Sequence, residues 1–400
     1  MIAHVSKWVL PVEQPPIKDG AVVVQGDRVR AVGPAAEILR GFTGLVCEHG
    51  TGALMPGVVN CHVHLEFSAL AGRVPPQARW EDWLTETLAA FGGLSPVEVE
   101  TGVSRALDAL WHSGTALVGE VTNTGASWPI LKNGPLSYHL FYECLGFNLV
   151  EDFNLPEAFP FFGQPEVDAA ACLSAAAHAP YSVSPPLFKA VAGWNAARLA
   201  PQMVHLSECR AELDFLTGGN GFFENLLKSR GRWVANFQPP GVSPPAYLHD
   251  LEFLGPRTLA VHGAWLSAAD CQLLAATGTW LVLCPRANRY TGAGTPPVPD
   301  LFESGVNLAL GTDSLAGNWD LNLFGEMLWL QQNFPAYSGE MWLRLGTLGG
   351  ARALGRDHDF GSLAVGKKAA LGFIPLEGNG DFWGELFAAG AAGKWRWLGK

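Results

Sequence analysis

Residues 60–67 read NCHVHLEF and follow the apolar run LMPGVV, so His62 and His64 stand one residue apart at a strand-like end. In a strand, residues i and i+2 face the same way, so this spacing offers two imidazoles to one ion. Either histidine alone reads equally well as a packing residue. Other apolar runs also end in polar residues: His178 in ACLSAAAH, His205 in QMVHLSE, His262 in TLAVHG and Asp313 in VNLALGTDS. Imidazole and carboxylate suit zinc and ferrous iron alike, and a catalytic site keeps one position open for water. Glu208, three residues past His205, has the chemistry of a proton carrier. It also reads as a first-turn helix carboxylate favoured by the macrodipole. Asp313 has the alternative of capping a following helix. Glu212 reads evenly as a solvated helix residue or a substrate contact. Glu66 shares the face of His64 if strand alternation continues that far, which would aim it at substrate.

These residues need elements that bring them together. Eight short apolar runs cover 54–64, 115–123, 138–147, 171–178, 202–208, 258–263, 279–285 and 306–314. Between them lie stretches with helical spacing, such as PVEVETGVSRALDALWHSG, PPLFKAVAGWNAARL, SAADCQLLAATG and LFGEMLWLQQNF. Strand alternating with helix predicts a parallel sheet, and eight such units predict a (β/α)8 TIM-like barrel, whose active sites sit at the C-terminal ends of the strands. Before the barrel, GAVVVQGDRVRAVGP predicts a hairpin turning at Gly-Asp. After it, GSLAVGKKAALGFIPL returns to short strands. A small β-sandwich domain built from both termini, residues 1–54 plus 357–400, is therefore expected beside a catalytic barrel over 55–356.

The chain of 400 residues is 48% hydrophobic and 16% charged, which suits a large core with both sheet faces covered. A net charge of -11 disfavours nucleic acid as a partner. No run is long and apolar enough for a membrane span, and the first residues lack the pattern of a signal peptide. Seven scattered cysteines fit reduced thiols and a cytoplasmic location better than a disulfide framework. The tryptophans read mainly as packing; Trp80 and Trp83 are placed to cover the site, although core packing is the plainer reading.

Taken together, the motifs resemble the amidohydrolase superfamily, in its mononuclear deaminase and chlorohydrolase branch. LMPGVVNCHVHLE resembles the first-strand motif, HAPYSVSPPLFKAV the fourth, HLSECRAELDFL the fifth, LGPRTLAVHGAWLSAADCQLLA the sixth and NLALGTDSLAGNWDLNLFGEM the eighth. The resemblance implies one divalent ion, Zn2+ or Fe2+, on His62, His64, His205 and Asp313. The fourth strand has no lysine to bridge a second ion. By resemblance, His178 contacts substrate. Glu208 shuttles the proton of an ion-activated water, His262 orients that water, and Asp313 can also accept its proton. Two departures stand out: Gly263 replaces a cysteine common in relatives, and GKKAALGFI replaces an Ala-Asp pair.

The resemblance also bears on substrate. HLE, HAPYSVS and CPRANRY are most similar to members acting on aminodeoxyfutalosine in menaquinone synthesis. Arg286 or Arg289 would be the natural fork for its carboxylate, and Ser314 joins the substrate-facing set. Deamination of adenosylhomocysteine, methylthioadenosine or adenosine is the next reading. Guanine or cytosine deamination and triazine dechlorination follow. A catalytically inert metal-binding barrel is the non-enzyme alternative. The expected partner is a small molecule, and a homodimer is common among such relatives.

Overall fold

The computed structural model describes residues 1–400 except 169, 379, 399 and 400. Five strands come first: β1 (Ile2–Val9), β2 (Ile17–Gln25), β3 (Arg28–Pro34), β4 (Leu45–Glu48) and β5 (Gly52–Pro56). The hairpin is where the sequence puts it, with Gln25 opposite Arg28 and Gly26 at φ 61° in the turn. The eight barrel strands follow: β6 (Val58–Val63), β7 (Thr115–Thr122), β8 (Ser137–Cys144), β9 (Leu173–Ala177), β10 (Gln202–Leu206), β11 (Thr258–His262), β12 (Trp280–Leu283) and β13 (Asn307–Leu310). All neighbouring pairs from β6 to β13 are parallel. Each of the eight apolar runs matches one of these strands, with only β8 starting one residue ahead of its run.

Every residue of β6, β7, β9 and β11 is buried, the pattern of strands covered on both faces. Each fully buried Val or Leu there stabilises the fold by roughly 1.5–3 kcal/mol. The surrounding helices start where local chemistry dictates. The Pro96–His112 helix opens on a Ser95/Glu98 capping box with Pro at its first position, and buries Val103, Ala106, Leu107 and Leu110 on one face.

The seam between the last and first barrel strands is closed by side chains as well as backbone. Thr312 N–H and Asp313 N–H both donate to the His62 carbonyl, at 3.1 and 3.0 Å. Asn60 Nδ2 donates to Thr312 Oγ1 at 2.7 Å, and Thr312 N–H donates back to Asn60 Oδ1 at 3.2 Å. Gly311 is required at this seam, since a Cβ there would lie 2.9 Å from His62 Cβ and 3.0 Å from the His62 carbonyl oxygen. The Asn of NCHVH therefore fixes the strand that presents Asp313 against the strand that presents His62.

The tail adds β14 (Leu371–Pro375) and β15 (Arg396–Leu398). Both termini build the small sheet, in the order β15-β14-β5-β1-β2-β3 with β4 also paired to β1. Its seven strands form one branching mixed sheet rather than two separate ones, because β1 bonds to β2 along one edge and to β4 and β5 along the other. β5 belongs to this sheet as far as Pro56, two residues before β6 begins. The Phe382–Ala391 helix also lies in the tail, yet its Leu386 and Phe387 are buried in the barrel's hydrophobic core. Among the described residues, no helix is long and apolar enough to cross a membrane.

Candidate active site

The barrel's C-terminal strand ends converge on a cavity of about 260 Å³. His62 and His64 come from the end of β6 and its exit, His205 from β10, His262 from the last residue of β11, and Asp313 from the loop after β13. Their rings and carboxylate are buried. His62 lies with its ring centroid 4.8 Å from His64 and 5.0 Å from His205. Asp313 Oδ1 is 3.7 Å from His62 Nε2 and 4.0 Å from His64 Nε2. Ligand atoms of His62, His64 and Asp313 all lie within 4.8 Å of one another, as do those of His62, His205 and His262.

This cluster fits a divalent ion. His62 Nε2 and His64 Nδ1 are buried and have no hydrogen-bond partner, a costly condition in a protein interior. Burial lowers both histidines to about 4 and outweighs the nearby Asp313 carboxylate, which opposes it, leaving neutral imidazoles as an ion requires. Burial would raise Asp313, but His62 and His262 outweigh it and hold the carboxyl below its ordinary range.

Proton-handling groups surround the cluster. Glu208 Oε1 lies 3.7 Å from His262 Nε2 and accepts a 2.7 Å hydrogen bond from Trp80 Nε1. Burial is the main reason that Glu208 is pushed up to about 7, close to the value a general base needs near neutrality. His262 Nδ1 meets Asn288 Oδ1 at 2.9 Å, so Nδ1 carries the proton and Nε2 is left facing inward. Its backbone is strained, with φ 78°, and Ser207 and Asp313 also have left-handed φ of 49° and 57°. The Gly263 departure has a packing reason. At φ 59°, a Cβ at this position would come within 2.8 Å of Leu266 Cδ1 and 3.0 Å of Leu281.

His178 and Ser314 line the cavity. His178 Nδ1 pairs with Ser182 Oγ at 2.6 Å, and Ser314 N–H donates to Asp313 Oδ1 at 2.7 Å. The four other substrate-contact candidates are not in its lining. Strand alternation ends at Val63, where a 3-10 turn over Leu65–Leu70 begins. Glu66 consequently turns away and accepts from the Thr122 and Thr124 hydroxyls and the N–H groups of Asn123, Thr124 and Ala126, ordering the loop after β7. Glu212 is fully buried behind the site and accepts from Ser207 N–H at 3.0 Å and Glu208 N–H at 2.9 Å. Arg286 is committed to Asp320 through two 2.8 Å hydrogen bonds. Arg289 is exposed on the Pro285–Thr291 helix.

Sequence reasoning passed over Glu143 and Asn123. Glu143 Oε1 pairs with His205 Nε2 at 3.1 Å, and Asn123 Nδ2 donates to Glu143 Oε2 at 2.7 Å. Burial alone would lower His205, but Glu143 raises it to about 9. Both residues sit at strand ends, in YHLFYECLGF and TALVGEVTN, where the same rule that found the histidines applies. The cavity's outer wall is one face of the Trp80–Phe91 helix, with Trp80, Trp83, Leu84, Thr87, Leu88 and Phe91 spaced three and one apart. Trp83 is anchored by its Nε1 on the Ala316 carbonyl at 2.8 Å.

A family model described as "Amidohydrolase family" matches residues 53–381. The chain belongs to the amidohydrolase family. A second model, an imidazolonepropionase-like composite domain of bacteria, matches residues 20–42 in the small sheet of this amidohydrolase. Among similar proteins, a 5-methylthioadenosine/S-adenosylhomocysteine deaminase of Syntrophobacter fumaroxidans is 30% identical over 88% of this chain and 79% of its own. An aminodeoxyfutalosine deaminase of Deinococcus radiodurans is 27% identical over 84% and 81%. An adenosine deaminase of Xanthomonas campestris with bound zinc superposes with a TM-score of 0.79 at 25% identity, over 98% of this chain and 90% of its own. The Helicobacter pylori aminofutalosine deaminase, solved with methylthio-coformycin, shares the fold with a TM-score of 0.85 at 22% identity, over 99% and 100%.

Proposed function

We propose that this amidohydrolase is a hydrolytic deaminase that replaces the amino group of an adenine nucleoside derivative by oxygen and releases ammonia. The observation that carries the reading is Glu208, buried beside His262 and Trp80 and poised near neutrality, next to two histidines with orphaned ring nitrogens. The names of the similar deaminases support the nucleoside class.

His62, His64, His205 and Asp313 would hold a single divalent ion, and the zinc in the similar adenosine deaminase favours zinc. Bound there, such an ion would lower the pKa of a water towards neutrality. The remaining steps fall to the chain's own groups. Glu208 takes the water's proton and passes it to the ring nitrogen beside the carbon under attack. His262, held by Asn288, presents Nε2 to the same water. The amino-bearing carbon becomes tetrahedral; Glu208, free again, takes the proton of the new hydroxyl and delivers it to the amine, and ammonia leaves as the carbonyl forms. His178 and Ser314 face the substrate. The seven cysteines are free, which supports a reducing, cytoplasmic setting.

The test is a substrate panel on the metal-replete protein: adenosine, methylthioadenosine, adenosylhomocysteine, aminodeoxyfutalosine, guanine, cytosine and a chlorotriazine. Ammonia or chloride release is followed together with the ultraviolet change from adenine to hypoxanthine. Failure to turn over any aminopurine sinks the nucleoside reading. Glu208→Gln should cost roughly 10²–10⁴-fold in turnover while metal content stays at the wild-type level, whereas an inert metal-binding barrel would show no turnover to lose.

A further inference from the structure

The two arginines that suggested a carboxylate-bearing substrate do not reach the cavity. Arg286 is paired with Asp320, and Arg289 is exposed elsewhere. No lysine or arginine is among the described residues that line it. The outer half is walled by Phe67, Trp83, Leu84, Thr87, Leu88 and Phe91; of their side-chain polar atoms, the Trp83 indole is spent on the Ala316 carbonyl and the Thr87 hydroxyl is buried without a partner. The inner half already holds three carboxylates, from Glu143, Glu208 and Asp313. Arg79, the cation next to this wall in sequence, is exposed and faces Glu81 at 3.7 Å. A substrate that fixes its amino-bearing ring at the histidines must lay its other end along the Trp80–Phe91 helix. A carboxylate placed there would lose water and find no cation.

We infer that this site selects substrates whose far end is uncharged and apolar, an alkylthio or aromatic group, and discriminates against those ending in a carboxylate. The inference rests on the deaminase reading and narrows its substrate class. The helix face at 83, 84, 88 and 91 is the specificity-determining element, and the strand-end residues are indifferent to it.

A matched pair tests the charge alone: aminodeoxyfutalosine and its methyl ester, assayed beside methylthioadenosine and adenosylhomocysteine. The ester should exceed the free acid by roughly 100-fold in kcat/KM, a conservative share of the cost of an unpaired buried charge. Methylthioadenosine should exceed adenosylhomocysteine in the same sense. Leu84→Arg should raise kcat/KM for the acid and lower it for the ester, with Leu88→Arg as the second variant should the first misfold. Titration calorimetry of the same four ligands on Glu208→Gln gives the order of binding independently of turnover. An acid that binds and reacts as well as its ester overturns the inference and leaves the deaminase reading intact. Turnover of a neutral aminotriazine or pyrimidine with none of any nucleoside, and the ester still binding tighter than the acid, overturns the nucleoside reading and supports the inference.

Discussion

Trp80→Phe isolates one hydrogen bond at the proton-carrying carboxylate. The indole Nε1 donates to Glu208 Oε1 at 2.7 Å with both side chains buried. A hydrogen bond to a charged group contributes roughly 1.5–3 kcal/mol net, and it favours the ionised form against the burial that lifts Glu208 to about 7. Phenylalanine keeps an aromatic ring against Tyr181 and Phe223 and removes only the donor. If about 1.4 kcal/mol of the bond distinguishes the two protonation states, the Glu208 pKa rises by about one unit. Glu208 works as a base when ionised, so the acidic limb of kcat/KM against pH should move up by on the order of one unit. Below that limb the variant should be about tenfold slower, and above it the two proteins should converge. Any effect of a bound ion on Glu208 is common to both proteins and cancels in the difference. An unmoved limb with wild-type rates refutes the reasoning. A uniform loss at every pH assigns Trp80 to packing alone.

Glu212→Gln should cost about 1–3 kcal/mol of stability, because the amide accepts through one oxygen and its NH2 then opposes the N–H of Ser207 or Glu208; a thermal melt and a fall in kcat at constant KM would show it. Glu326 is pushed up to about 7, mainly by burial, so its contribution to stability is complete below an ordinary carboxylate pKa of ~4.3 and is lost as pH rises to about 7. Unfolding free energies from urea titrations of Glu326→Gln and wild type between pH 5 and 8 should therefore diverge in the variant's favour as pH rises, by on the order of 1–3 kcal/mol, and parallel curves would contradict this. Chelation should abolish turnover and lower the melting temperature, with both restored by zinc or ferrous iron, since the ion would satisfy the orphaned nitrogens of His62 and His64.

The barrel was legible because buried parallel strands write themselves as short apolar runs, and the polar residue closing each run marks the mouth. His62, His64, His178, His205, His262 and Asp313 were found this way. Glu66 was misplaced because alternation says nothing about where a strand stops, and β6 stops at Val63. Arg286 was drawn to a ligand because its true partner, Asp320, is remote in sequence. Glu143 was hidden inside a run with aromatic and apolar neighbours on both sides. The role of the Trp80 indole was invisible because its bond crosses from a loop-borne helix to a different strand end.

Apart from the Trp80 indole, chemistry and contact surface occupy different secondary elements in this protein. Strand termini carry the histidines and carboxylates, while the amphipathic Trp80–Phe91 helix, with Phe67 beside it, supplies the far wall. Replacing Leu84, Leu88 or Phe91 reshapes that wall without disturbing a strand, a seam hydrogen bond or a ligand atom. Such positions can change while the reaction centre keeps its geometry. A lineage built this way can acquire a new substrate by a few neighbouring codon changes, with the old catalytic apparatus inherited unaltered.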